Sequence, residues 1–261
     1  MKNWFFTGDF HGHWENFANR IAQINTENAA VVVLGDAGFN FYLNGRDRKL
    51  KKKVNDLGIK VYCVRGNHEQ RPKLVDGMIL AYDEEVENSV YVEPDFPNIL
   101  YFRDGGIYKL NERKVLVIGG AYSVDKWYRL QQGWTWFKDE QLNESEREFI
   151  LNVAKDYTFD YIFSHTCPLS WEPTDLFIKG LDQSTVDTTM EVWLEEVRKV
   201  AQWDTWLFGH FHENRWVRPH VQMFYERIMS MEELEDSWNK FDEDGTIPDD
   251  INLDPAYPWF Y

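Results

Sequence analysis

Trp4-Phe5-Phe6-Thr7-Gly8-Asp9-Phe10-His11-Gly12 decides the fold. An apolar run breaks at a glycine, and Asp9 and His11 follow at once. Two residues apart, their side chains point to the same side while the chain stays extended. This reads as a buried strand ending in a loop that carries oxygen and imidazole donors. The pattern recurs along the chain. Val31-Val32-Val33-Leu34 runs into Gly35-Asp36, and Val61-Tyr62-Cys63-Val64 into Arg65-Gly66-Asn67-His68-Glu69. Tyr161-Ile162-Phe163 runs into His165, and Trp206-Leu207-Phe208 into Gly209-His210-Phe211-His212. Open α/β sheets place ligand sites where strands end. Asp, Asn and His in combination suit divalent transition metals.

Helical periodicity lies between the first strands. Trp14, Phe17, Ala18, Ile21 and Ala22 form one stripe of a helix over 14–24, and 46–57 is basic and amphipathic, ending at Gly58. The combination predicts a βαβαβ start with parallel strands. Further on, strands over 89–92, 99–102, 107–110 and 115–118 are separated by turn residues. That pattern predicts hairpins and a second sheet packed on the first. Asn143-Glu144-Ser145-Glu146 is a capping signal that starts a helix running to 155. A helix over 186–201 and a last strand over 222–228 follow. The expected organisation is one domain over 1–230, with cap-like insertions near 122–137 and 168–185. An acidic extension over 231–261 ends in Trp259-Phe260-Tyr261.

The chain has 261 residues, 43% of them apolar, enough for a sizeable core. Its formal net charge of −16 argues against non-specific binding to nucleic acid or to anionic membrane, where basic patches dominate. The expected partner is a small phosphorylated substrate, with a nucleotide among the candidates. Oligomeric state is not legible. Cys63 and Cys167 form no CxxC, so neither a disulfide framework nor a cysteine-rich zinc site is expected. No apolar leader and no membrane-length run is visible, and the expected location is the cytoplasm.

A dinuclear site needs a bridging carboxylate and terminal ligands from several loops. Asp9 and His11 can share one metal, Asp36 is the natural bridge, and Asn67 offers a neutral oxygen. His165, His210 and His212 complete the set. With only two anionic ligands the centre stays positive within an acidic chain, which draws a phosphate to that place.

The ordered set Asp-x-His, Gly-Asp, Gly-Asn-His and Gly-His-x-His resembles the calcineurin-like metallophosphoesterase superfamily over residues 4–215. The resemblance implies an α/β fold, a four-layer α/β/β/α sandwich of two mixed sheets flanked by helices. It implies one metal on Asp9, His11, Asp36 and His212, and a second on Asp36, Asn67, His165 and His210. It implies His68 as the catalytic acid rather than a ligand. The metals expected are two divalent ions, manganese first, with iron, zinc, nickel or cobalt as alternatives. The first and third motifs are similar to those of phosphoprotein phosphatases. The second departs from them. Ala37-Gly38-Phe39-Asn40 follows Gly35-Asp36 where that branch has an Asp to orient the catalytic His and an Arg to grip phosphate. Ser164-His165-Thr166-Cys167 likewise replaces His-Gly-Gly. The whole is more similar to bacterial and phage phosphoesterases.

The expected activity is hydrolysis of phosphomonoesters or phosphodiesters by attack of a metal-bridging hydroxide. A nuclease or cyclic-nucleotide phosphodiesterase is the alternative within that class. A non-catalytic metal-binding interaction module on the same fold is the alternative outside it. Arg129 and Arg65 are the expected substrate contacts, with Arg46 and Arg48 behind them because those two open a charged helix. Trp127, Tyr128, Trp134, Trp136 and Trp171 are either base-stacking residues or a small core under a cap.

Overall fold

All five residues of the strand Ala29–Val33 are buried, so it has no solvent face and must run through the middle of a layered structure. The structure, a computed structural model, describes residues 1–177, 183–245 and 252–253. Chain order begins β1 (Asn3–Thr7), α1 (Trp14–Ile21), β2 (Ala29–Val33), α2 (Gly45–Asn55) and β3 (Lys60–Cys63). It continues through β4 (Ile79–Asp83), β5 (Asn88–Val92), β6 (Ile99–Tyr101), β7 (Ile107–Leu110) and β8 (Arg113–Ile118). Then come α3 (Lys126–Gln131), α4 (Glu144–Asp156), β9 (Thr158–Ser164), α5 (Thr189–Val200) and β10 (Gln202–Phe208). The last described elements are β11 (Arg215–Arg218), β12 (Val221–Met223), β13 (Ile228–Ser230), α6 (Met231–Asp244) and β14 (Asn252–Leu253).

Two mixed sheets result. The first has the order β13-β1-β2-β3-β6-β5-β4, and the second β14-β11-β12-β10-β9-β8-β7. β1, β2, β3 and β6 are mutually parallel, as are β8, β9, β10 and β12. Alternation along β2 divides the core. Ala30 and Val32 join Phe6, Val117, Phe163 and Leu207 between the sheets. Val31 and Val33 face outward onto Phe17 and Ile21 of α1 and Val54 of α2. On the other side, Leu116, Ile162 and Trp206 pack under Ile150 of α4 and Leu194 of α5. This is the expected four-layer sandwich.

Some elements differ from the sequence reading. The single strand expected over 222–228 is two strands in different sheets: β12 pairs with β10, and β13 pairs with β1. The chain crosses between the layers there. β4 was not anticipated because Ile79 and Leu80 are exposed at a sheet edge, without inward alternation. Of the acidic extension, 231–244 is helix α6, started by a capping box between Ser230 and Glu233. Its Leu234 and Trp238 are buried in the inter-sheet core. Trp238 stacks on Trp216 of β11 at 4.0 Å. The terminal aromatics Trp259, Phe260 and Tyr261 lie outside the described residues, as do 178–182 of the second insertion. Among the described residues, no helix is long and apolar enough to cross a membrane.

The burial of Trp238 makes α6 part of the fold. Trp238→Ala is expected to lower unfolding free energy by about 3–5 kcal/mol, the usual cost of emptying a buried Trp site. Urea unfolding measures it, and a loss under about 1 kcal/mol would mean that α6 merely rests on the surface.

Candidate metal centre

Five loops at the carboxyl ends of β1, β2, β3, β9 and β10 meet where the two sheets come together. β1 delivers Asp9 and His11, β2 delivers Asp36, and β3 delivers Asn67 and His68. From the second sheet, β9 delivers His165, and β10 delivers His210 and His212. Asp9, Asp36 and His165 are almost wholly out of solvent. The loops are drawn tight. A Cβ on Gly66 would fall 1.8 Å from Asp36 Oδ1, and one on Gly35 would fall 1.9 Å from His165 Nδ1. Only glycine lets those backbones come so close. His11, Asp36, His210 and His212 all have positive φ, a sparsely populated conformation that concentrates at functional sites.

The donors face one another. His11 Nε2 and His212 Nε2 are 2.8 Å apart. Both approach Asp9 Oδ2, at 3.7 and 3.4 Å, and that oxygen is buried without a hydrogen-bond partner. His165 donates from Nδ1 to the Leu34 carbonyl at 2.9 Å, which turns Nε2 inward. Nε2 lies 2.8 Å from Asn67 Oδ1 and 3.5 Å from Asp36 Oδ2. Asn67 cannot turn its amide round, because Nδ2 donates to Ser123 Oγ at 2.9 Å. Carboxylate, amide and imidazole groups thus converge inside a buried pocket, a set that suits divalent cations. Three sets meet the geometric demand of a metal: Asp9, His11 and His212; Asp9, Asp36 and His165; and His11, Asp36 and His68. The His210 ring is 5.0 Å from that of His165.

Charge tells the same story. Burial pushes the Asp36 carboxyl up, yet His165 and His68 overcome it and hold the group well below the ordinary carboxylate range. Asp9 is likewise lowered against its burial, chiefly by His212. Burial presses His165 down, but Asp36 wins and raises it to about 9. His210 is forced to about 3 by burial and by the charge of His165. The centre keeps both carboxylates ionised and collects whatever positive charge its imidazoles can carry. The buried Asp/His groups could hold metal ions, as is usual for such donor sets.

His68 sits beside this cluster. Its backbone N–H donates to Asp36 Oδ1 at 2.8 Å, and its ring stacks near Phe41 at 6.2 Å. Its Nε2 is 3.8 Å from Asp125 Oδ1. Burial lowers its pKa, opposed by Asp36 and assisted by Arg129. The two arginines expected at substrate are both committed elsewhere. Arg65 is buried, with Nε on Asp104 at 2.9 Å and its other nitrogens on the carbonyls of Glu140 and Gly119. Arg129 is 1% exposed. It donates to the Thr135 carbonyl and faces Asp125 at 3.6 Å. Trp127, Tyr128 and Trp134 are more than half exposed on the insertion, while Trp171 packs on Trp206.

Sequence reading missed several supports. Arg20 of α1 donates to Thr7 Oγ1 and to the carbonyls of Gly8 and Asp9 at 2.7–2.8 Å, tying down the first loop. Its place between Phe17 and Ile21 on the apolar stripe was the available signal. Glu69, also buried, accepts from Gly38 N at 2.6 Å and steadies the second loop. Glu191 of α5 accepts from Thr166 Oγ1 at 2.7 Å, just beyond His165.

With that geometry in place, comparison with known families finds a match. The model described as calcineurin-like phosphoesterase covers residues 5–214. No curated protein matches the chain.

Glu191 yields a prediction about stability. Burial raises its pKa from 4.5 to about 7. Between those values the folded state holds a proton that the unfolded state has lost, so stability falls as pH rises through the window. Glu191→Gln is expected to flatten that decline and to gain on the order of 2 kcal/mol at pH 8. Urea unfolding from pH 5 to 8 tests it, and parallel curves for the two proteins would refute it.

Proposed function

We propose that this chain, which belongs to the calcineurin-like phosphoesterase family, hydrolyses phosphomonoesters or phosphodiesters with the help of two divalent metal ions. The observation that carries this reading is the convergence of two buried carboxylates with inward-facing imidazole nitrogens. Asp9, His11, Asp36 and His212 would hold one ion. Asp36, Asn67, His165 and His210 would hold the other. Manganese is the first candidate on the chemistry of the donors. When bound, such a pair supplies positive charge to the phosphoryl oxygens and makes water acidic enough to react near neutral pH.

The chain's own residues do the positioning. Ser123 holds the Asn67 amide with its oxygen inward, and the Leu34 carbonyl holds His165 in one tautomer. Backbone N–H groups of His68 and His210 take the outer oxygens of Asp36 and Asp9, so the inner oxygens stay available. His68 would carry a proton and release it to the departing alkoxide. Its lowered pKa favours giving that proton up, and Asp125 beside Nε2 supports the protonated ring. Arg129 acts on His68 through its charge, since its guanidinium is already engaged. The net charge of −16 weighs against a nuclease acting on long polyanions. The complete donor set weighs against a module that has lost its chemistry. Buried free thiols at Cys63 and Cys167 are compatible with a cytoplasmic enzyme.

With Mn²⁺ supplied, turnover of p-nitrophenyl phosphate or bis-p-nitrophenyl phosphate is expected, and a chelator should abolish it. His68→Ala should lower kcat by about 10²–10⁴ while bound metal is retained. Asp36→Asn should lose both metal and activity. Metal content by mass spectrometry separates the two variants. A protein that binds two ions yet turns over neither ester would overturn the proposal.

A further inference from the structure

A cavity of about 290 Å³ adjoins the metal centre. It is lined by His11 and His68 of the centre and by Phe41, Tyr42 and Arg46 of the following loop and helix. These side chains form a sequence of contacts. Phe41 lies almost parallel to His68, at 20°. Tyr42 meets Phe41 edge-on at 4.8 Å. The Arg46 guanidinium sits 4.9 Å over the Tyr42 ring. Arg46 is exposed and has no ion-pair partner among the described residues. Asp47, which also lines the cavity, accepts from the backbone N–H groups of Tyr42 and Leu43 at 2.9 and 2.7 Å. Its charge therefore fastens the aromatic loop and leaves Arg46 available.

An alcohol leaving phosphorus at the centre would depart beside His68, so the leaving group is the part of a substrate that meets this cavity. The half-exposed Tyr42 ring, set edge-on to Phe41, gives the cavity an aromatic wall that suits a flat ring. A guanidinium with no ion-pair partner suits a carboxylate or a phosphate. The volume is at the low end for small-molecule sites, roughly 300–1,000 Å³, which fits one ring and one small anionic group. We propose that this cavity is the leaving-group subsite, and that the substrate is a small phosphoester whose leaving group carries an aromatic ring and a second anionic group held by Arg46. The inference rests on the phosphoesterase reading above.

The test uses the full chain loaded with Mn²⁺ and two isosteric esters, 4-carboxyphenyl phosphate and 4-carbamoylphenyl phosphate. Their leaving groups differ in charge and hardly in shape. The expected ratio of kcat/KM is about tenfold in favour of the carboxylate, the value of one charge-assisted contact. Arg46→Ala should bring the ratio close to one, and Arg46→Glu should reverse it. Tyr42→Ala should raise KM for both esters. Equal turnover of the two esters by the unaltered protein would overturn the subsite, as would a preference that survives Arg46→Ala. Absence of turnover with either ester, and with bis-p-nitrophenyl phosphate, would fail the phosphoesterase reading instead.

Discussion

Two carboxylates held ionised in the seam between two sheets are the constraint on which the rest depends. Asp9 and Asp36 are buried, and a buried charge is costly unless it is compensated. Compensation here comes from imidazoles crowded around them, two of which face each other at 2.8 Å. Two neutral imidazoles so placed share one N–H···N hydrogen bond, and two protonated ones repel. The sandwich must be rigid enough to hold so crowded a set of charged and polar groups in place.

That rigidity comes from the layering. β1, β2 and β3 are parallel, so their carboxyl ends emerge on one side. β9 and β10 are parallel in the second sheet, so theirs do too. The inter-sheet core of Phe6, Val32, Phe163 and Leu207 clamps the two sets of ends together. Loop flexibility is then removed locally. Arg20 gathers three oxygens of the first loop, Glu69 pins the second, and Glu191 backs the residue after His165. Four of the ligand candidates tolerate positive φ because the surrounding structure over-determines them.

Much of this was legible in the sequence, for identifiable reasons. Strands buried on both faces read as short apolar runs, and the donors stood directly after them. Periodicity carried α1, α2, α4 and α5. It failed for β4, whose apolar residues face out at an edge, and for β11, which is only four residues long. The crossing from β12 to β13 was hidden because only Glu226 and Arg227 part the apolar residues up to Tyr225 from Ile228 and Met229. Charge misdirected the reading of 231–244. The acidic residues occupy the solvent side of a helix whose apolar side carries Leu234 and Trp238. Supports such as Ser123 and Asp125 were invisible, since they come from an insertion whose placement over Asn67 and His68 is a tertiary fact.

The arginines show why residue type alone could not name the substrate contacts. A guanidinium has five donors and no acceptor, so burying one commits it to whatever oxygens are at hand. Arg65 meets Asp104 and two carbonyls, and Arg129 meets Thr135 and Asp125. Both are buried near the centre, their terminal nitrogens turned to these resident oxygens. A contact that must exchange water for a substrate anion needs the opposite circumstances: exposure, one face supported by an aromatic ring, and no resident carboxylate. Among the arginines considered from sequence, Arg48 is paired with Asp95 at 2.8 Å, and Arg46 alone meets those conditions. One of the two arginines set aside on helical patterning is the strongest candidate once its neighbours are known.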